Sequence, residues 1–181
     1  LKREIEAIEV RREEILHFWQ KIESGEIPKR VAHNDTKISN ILFDKHTKNP
    51  LCVIDLDTVM TSTSLYDFGD AIRSYTNTGK EDDNNLDNVS MDLERFRAFA
   101  EGYLSEQKSL NSIELQWLAF SARYITYEQA LRFLMDYING DTYYKIAFPE
   151  HNLIRTCAQL HLLESMEEQY DAMCAIILEL S

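Results

Sequence analysis

The stretch His33-Asn34-Asp35-Thr36-Lys37-Ile38-Ser39-Asn40 is followed, after a turn-rich interval, by Val53-Ile54-Asp55-Leu56-Asp57. Together they hold the residue types that moving a phosphoryl group requires. That reaction needs a carboxylate to orient and deprotonate an attacking hydroxyl. It also needs oxygen ligands to hold Mg²⁺ on the phosphates, and positive charge on the transferring oxygens. His-x-Asp-x-x-x-x-Asn followed by Ile-Asp supplies these in order. Asp35 would be the base, Asn40 and Asp55 the metal ligands, and Lys37 would reach the terminal phosphate. Hard Mg²⁺ prefers such oxygens and keeps several waters. His33 is read as a structural residue that orients the loop.

Positioning these groups falls to a short hairpin. Ile41 to Phe43 and Leu51 to Ile54 are apolar runs rich in branched residues, separated by the turn Asp44-Lys45-His46-Thr47-Lys48-Asn49-Pro50. Two such strands cannot build a core, so their task is to hold something in place. Arg30 to Ala32 reads as a short extended entry. The remainder is helical in period: one amphipathic helix over 1–23, a short helix over 67–75, then helices over about 92–106, 112–138, 142–147, 150–169 and 170–180. Asn111-Ser112 and Pro149-Glu150 are start signals and Asn139-Gly140 is a stop. Residues 77–87 are acidic and Asn-rich without apolar periodicity, and read as a surface loop. The expected class is therefore α+β, mostly α: a helical body with one small β-hairpin.

The loop resembles the catalytic loop of the aminoglycoside phosphotransferase and choline kinase superfamily, relatives of the protein kinases. The resemblance implies the same roles for Asp35, Asn40 and Asp55, and adds Asp57 as an acidic position near the metal. Lys37 matches the loop lysine of protein kinases. Further stretches are similar to the N-acetylhexosamine 1-kinase branch: Val31 to Lys37, Ile54 to Thr58, Leu65-Tyr66-Asp67-Phe68-Gly69-Asp70-Ala71-Ile72-Arg73, Asp136-Tyr137, Gly140-Asp141, Tyr143, and His151-Asn152-Leu153 with Arg155 and Gln159. In that branch an arginine and a tyrosine near the break at Asn139-Gly140-Asp141 face the acceptor, which implies Arg132 and Tyr143 as acceptor-binding residues. Asp67-Phe68-Gly69 spells the metal-binding triplet of protein kinases. It lies thirty-two residues after Asp35, whereas Asp55 lies twenty after it at the end of a strand. Asp67 is read instead as a structural residue capping the next helix.

The resemblance implies Mg²⁺ and ATP as cofactors and a small-molecule acceptor, a sugar first. It implies the C-terminal lobe of a protein-kinase-like fold over residues 1–181. The five glycines at 25, 69, 79, 102 and 140 form no glycine-rich phosphate loop, and no strand of the Val-Ala-Ile-Lys kind is present. The chain is thus expected to work with its own N-terminal nucleotide-clamping lobe and to be inactive alone. Choline or an aminoglycoside as acceptor, with the same mechanism, and a kinase-like binding module without turnover are the rival readings.

Composition narrows the partners. The net charge is −12, which repels nucleic acid and anionic lipid. Cys52, Cys157 and Cys174 are three and widely spaced, which suits small buried hydrophobes in the cytoplasm rather than disulfides or a zinc site. The most apolar helical stretch, 113–138, carries Glu114, Arg123, Glu128, Arg132 and Asp136, so no membrane span is expected. Arg123, Arg155 and His151 are read as structural, Trp19 and Trp117 as core, and Glu164, Glu167 and Glu168 as a solvated helix face.

Overall fold

The computed structural model describes residues 1–181. Seven helices form the body: α1 (Lys2–Glu9), α2 (Arg12–Glu23), α3 (Ser64–Tyr75), α4 (Leu93–Glu106), α5 (Ser112–Ile138), α6 (His151–Glu168) and α7 (Tyr170–Leu180). Four short strands form two antiparallel pairs. β1 (Arg30–Ala32) pairs with β4 (Met60–Ser62), and β2 (Ile41–Phe43) with β3 (Pro50–Val53). The expected class, mostly α with a small hairpin, is the observed one. β4 was not anticipated. It is three residues long and gains its partner only from β1, some thirty residues away, through Arg30↔Ser62 to Ala32↔Met60.

Helix α5 is the axis of the body, with α3 and α6 packed along it. Its start is set by a capping box. The Asn111 side chain accepts from Glu114 N, while Glu114 Oε2 accepts from Asn111 N at 2.9 Å. Phe18, Leu65, Phe68, Ile72, Phe96, Leu118, Phe120, Leu162 and Met166 form one buried cluster along this axis. No helix is long and apolar enough to cross a membrane.

Close approach of α3 to α5 depends on Gly69. A Cβ built there would collide with the Ser121 carbonyl oxygen and come within 2.8 Å of Ile125 Cγ1. The carbonyl belongs to helical backbone and cannot move aside. Gly69→Ala is therefore expected to destabilise by about 1–3 kcal/mol through overpacking, in spite of alanine's better helix propensity. Urea denaturation checks it, and an unchanged midpoint would mean that the helices separate freely.

Several expectations need correction. The single helix over 1–23 is two helices, because its apolar stripes serve two clusters. Ile8 packs with Leu134, Leu160 and Leu163, whereas Phe18 and Ile22 join the main core. Val10 at the joint is 78% exposed, and Arg11 turns back to bind Glu167 with contacts of 2.7 and 2.6 Å. Glu167 is thus engaged rather than merely solvated. Trp19 is exposed, not core. No helix forms over 142–147, because the N–H groups of Thr142, Tyr143 and Tyr144 are taken by the Asp136 carboxylate at 2.9–3.0 Å. Cys52 is exposed and the other two cysteines are half-buried. The β2–β3 hairpin is open on both faces, which leaves Leu42, Phe43, Leu51 and Val53 exposed along with Cys52.

Candidate functional site

The loop between β1 and β2 is held from below by α3. His33 N and Asn34 N donate to the two oxygens of Asp67 at 2.8 and 2.7 Å. Thr36 Oγ1 donates to Asp67 O at 2.6 Å, and Tyr75 Oη to Thr36 O at 2.9 Å. Asp67 therefore holds the loop, and it does not cap its helix. α3 begins at Ser64 and is capped by Thr63, whose hydroxyl accepts from Leu65 N. Burial pushes the Asp67 carboxyl up, and the two loop N–H groups offset only part of that. Asn34 takes φ 62°, a left-handed turn that asparagine tolerates better than most residues. Its amide closes the turn on Ala32 O and Thr58 O.

His33 Nε2 lies 3.1 Å from Ile54 O. A carbonyl can only accept, so Nε2 carries the proton, and Nδ1 is buried without a partner. The ring thus ties the loop to the end of the hairpin. Ile54 N donates to Asn40 O across the same junction at 2.9 Å.

Asp35 is half-buried, and one of its two carboxylate oxygens is fixed. Oδ2 accepts from Asn40 Nδ2 at 2.8 Å and meets Lys37 Nζ at 2.9 Å. The Asn40 amide also reaches Asp35 O at 2.9 Å. Asp35 Oδ1 takes no bond from the chain. Burial pushes the Lys37 ammonium down, but Asp35, Asp70 and Asp55 more than offset it, so Lys37 stays charged. Asp55 stands at φ 62° past the end of β3, exposed, with Asp57 beside it. The Asp57 carboxylate pushes the Asp55 carboxyl up, and Asp35 adds to this.

No three His, Cys, Asp or Glu side chains lie close enough to hold a metal unaided. The set at the hairpin mouth is two adjacent carboxylates and one amide oxygen. Like charges set side by side and hard oxygen donors fit a Mg²⁺ ion that completes its shell with water and phosphate. The residues present therefore suit that cation.

Asp35 and Lys37 open onto a cavity of about 750 Å³. Two helical stripes make much of its wall: Tyr66, Asp70 and Arg73 from α3, and Ile125, Glu128, Gln129, Arg132 and Phe133 from α5. Glu81, Tyr144, Lys145 and Arg155 add to the polar lining, as do Asn34, Ser39 and Ser62. Arg73 is buried and binds Asp70 Oδ1 at 2.9 Å and Glu81 Oε1 at 2.9 Å. Asp70 Oδ2 is buried without a partner. His151 anchors the acidic loop. Its Nδ1 accepts from Ala147 N and its Nε2 lies 3.0 Å from Asp82.

Arg132 lines the cavity, with its guanidinium over the Tyr144 ring at 5.7 Å. Tyr143 does not line it and is 74% exposed, while its neighbour Tyr144 does. Arg155, read as structural, lies on the cavity with its guanidinium over the Phe133 ring. Asn40 sits just behind Asp35, and Asp55 and Asp57 stand outside the lining. The residues missed from sequence share one signal. Tyr66, Asp70 and Arg73, like Glu128 and Gln129 beside the anticipated Arg132, recur at helical spacing as a polar stripe on otherwise buried helices.

The model of a phosphotransferase enzyme family, APH, matches residues 1–107. The matched stretch contains the loop, the hairpin and α3 and ends before α5.

Proposed function

This chain belongs to the APH phosphotransferase enzyme family, and on that premise we propose that it is the catalytic lobe of an ATP-dependent kinase for the anomeric hydroxyl of an N-acetylhexosamine. The observation that carries the reading is Asp35 on the cavity wall, one oxygen pinned by Lys37 and Asn40 and the other open. The open oxygen accepts the acceptor's hydroxyl proton and aims the hydroxyl oxygen at the terminal phosphorus. The new oxygen–phosphorus bond forms as the bond to the nucleoside diphosphate breaks, and the proton passes through Asp35 to solvent. An anomeric hydroxyl is more acidic than an ordinary alcohol, so a modest carboxylate base suffices. Asn40, Asp55 and Asp57 would hold Mg²⁺, which when bound neutralises charge on the phosphates. Lys37 adds positive charge beside the transferring group.

We assign the nucleotide, and the lobe that clamps it, to the apolar face around Asp55. Leu51, Val53, Leu56 and Val59 are exposed there. The sugar reading is supported by the similarity of residues 65–73 and 136–159 to the N-acetylhexosamine 1-kinase branch. The cavity lining agrees with it. Four carboxylates (Asp35, Asp70, Glu81, Glu128) face five cations (Lys37, Arg73, Arg132, Lys145, Arg155), although the whole chain carries −12. A near-neutral wall of alternating donors and acceptors suits a neutral polyol better than choline or an aminoglycoside.

Phosphorus NMR of the native protein with Mg²⁺, ATP, N-acetylglucosamine, N-acetylgalactosamine, choline and kanamycin tests this. A sugar 1-phosphate signal is expected. Transfer only to a cationic acceptor would keep the Asp35 chemistry and discard the sugar, and no transfer to any of them would defeat the reading.

A further inference from the structure

Glu128 and Arg132 stand one turn apart on α5, about 6 Å along its axis, and both face the cavity. Neither is satisfied within the chain. The influences on the Glu128 carboxyl are burial and the more distant charges of Arg132, Asp70 and Arg73, with no hydrogen bond among them. Arg132 contacts only the faces of Tyr143 and Tyr144, at 5.9 and 5.7 Å. Their neighbours are engaged: Gln129 Nε2 donates to Tyr144 Oη at 3.2 Å, and Arg73 is bound to Asp70 and Glu81. A glutamate four residues before an arginine commonly closes into an ion pair on a helix surface. This one stays open over a cavity. A partly buried carboxylate without a donor costs stability, and a ligand that brings the donor relieves that cost.

We propose that Glu128 is a specificity-determining residue for the acceptor. Its carboxylate receives hydroxyl protons from an uncharged polyhydroxy ligand, while Arg132 donates to that ligand's oxygens. The inference rests on the reading of this cavity as the acceptor site. Charge selects the class. A cationic amine drawn to Glu128 meets Arg132, Lys145 and Arg155. An anion drawn to those three meets Glu128 and Asp70. A ligand bearing donors and acceptors on adjacent carbons satisfies both ends of the open pair.

Calorimetric titration of the protein with N-acetylglucosamine, N-acetylgalactosamine, their monodeoxy analogues, choline and kanamycin tests the assignment. Glu128→Gln and Glu128→Ala are each expected to weaken the N-acetylhexosamines about tenfold or more. Their melting temperatures should be unchanged or higher, since no intramolecular bond is lost. For one monodeoxy sugar the Glu128→Ala penalty should vanish, because the donor that Glu128 receives is gone. Unaltered sugar affinity in both variants, or equal weakening of every deoxy analogue, would overturn the proposal alone and leave sugar transfer by the native protein standing. Binding of choline or kanamycin without any sugar would overturn it together with the sugar reading, and no binding of any probe would also overturn it.

Discussion

Asp35→Asn is expected to lower turnover by about 10²–10⁴-fold, the range that a positioned general base supplies, while nucleotide affinity stays within about threefold. The substitution keeps the shape of the side chain and changes what its open atom can do. In the unmodified protein, Lys37 and the Asn40 amide both approach Oδ2. An asparagine placed there turns its single oxygen toward those donors. The position of the open oxygen then holds an amide N–H₂, a donor where the acceptor hydroxyl needs an acceptor. Proton removal is lost and the hydroxyl is oriented the wrong way. Asn40, Asp55 and Asp57 are untouched, so nucleotide binding should survive. The loop should also stay folded, because its anchor is Asp67, which binds the backbone of His33 and Asn34 rather than the Asp35 side chain. Single-turnover phosphorus NMR gives the rate, calorimetry the nucleotide affinity, and thermal denaturation the fold. Near-normal turnover would remove Asp35 from the mechanism. A fall in rate matched by a fall in melting temperature would reassign it to structure.

Much of the arrangement around Asp35 was legible in the sequence because it is contiguous. One loop and the hairpin it enters carry Asp35, Lys37, Asn40 and Asp55, and the strands Ile41–Phe43 and Pro50–Val53 form about where branched residues flank the turn. The bounds of α5 were legible for a local reason too, since Asn111 and Glu114 cap it from within one turn and Asn139-Gly140 ends it. What escaped the sequence depends on distant partners. Met60–Ser62 has little strand character of its own and becomes one by pairing with Arg30–Ala32. The segment after Gly140 has helical residues, but Asp136 collects three of its N–H groups and bends it. That bend, with Asp141 at φ 57°, decides which of two adjacent tyrosines meets the cavity. Burial alone would raise the Asp136 carboxyl, yet those N–H groups and Asn152 hold it below the usual range. The far wall followed from neither motif nor turn. It exists because α3 and α5 pack through Gly69 and bring two polar stripes face to face.

Glu114→Ala is expected to cost about 1.5–3 kcal/mol at neutral pH, the range for losing hydrogen bonds to a charged group, because the Arg30 guanidinium it leaves behind is partly exposed. Glu114 is fully buried and receives Arg30 in a two-pronged contact, Nε at 2.6 Å and Nη2 at 2.7 Å. It also receives Asn111 N at 2.9 Å and the Ser64 hydroxyl at 3.4 Å. One carboxylate thus joins the start of α5, the start of α3 and the first residue of β1, the strand that leads into His33 and Asp35. Alanine removes the capping box and leaves the Arg30 guanidinium with Ser109 alone. Loss of stability should therefore come with a loss of turnover, because the entry to the loop is no longer held. Burial would raise the Glu114 carboxyl, but Arg30 and Asn111 N outweigh it and hold the group below its ordinary value. A carboxyl depressed in the folded state binds protons more readily when unfolded. Its contribution is thus complete above the ordinary glutamate range and declines as pH falls from about 4.5 through the folded value. Urea denaturation of the unmodified protein, Glu114→Ala and Glu114→Gln at pH 7 and at stepped acid pH checks this. The gap between unmodified protein and alanine variant should be widest at pH 7 and narrow in acid, with glutamine between them at pH 7 because its single oxygen keeps one edge of the contact while its N–H₂ meets a donor on the other. A gap that stays constant with pH would assign the effect to packing and capping, and would take the Arg30–Glu114 charge pair out of the account of how the loop is held.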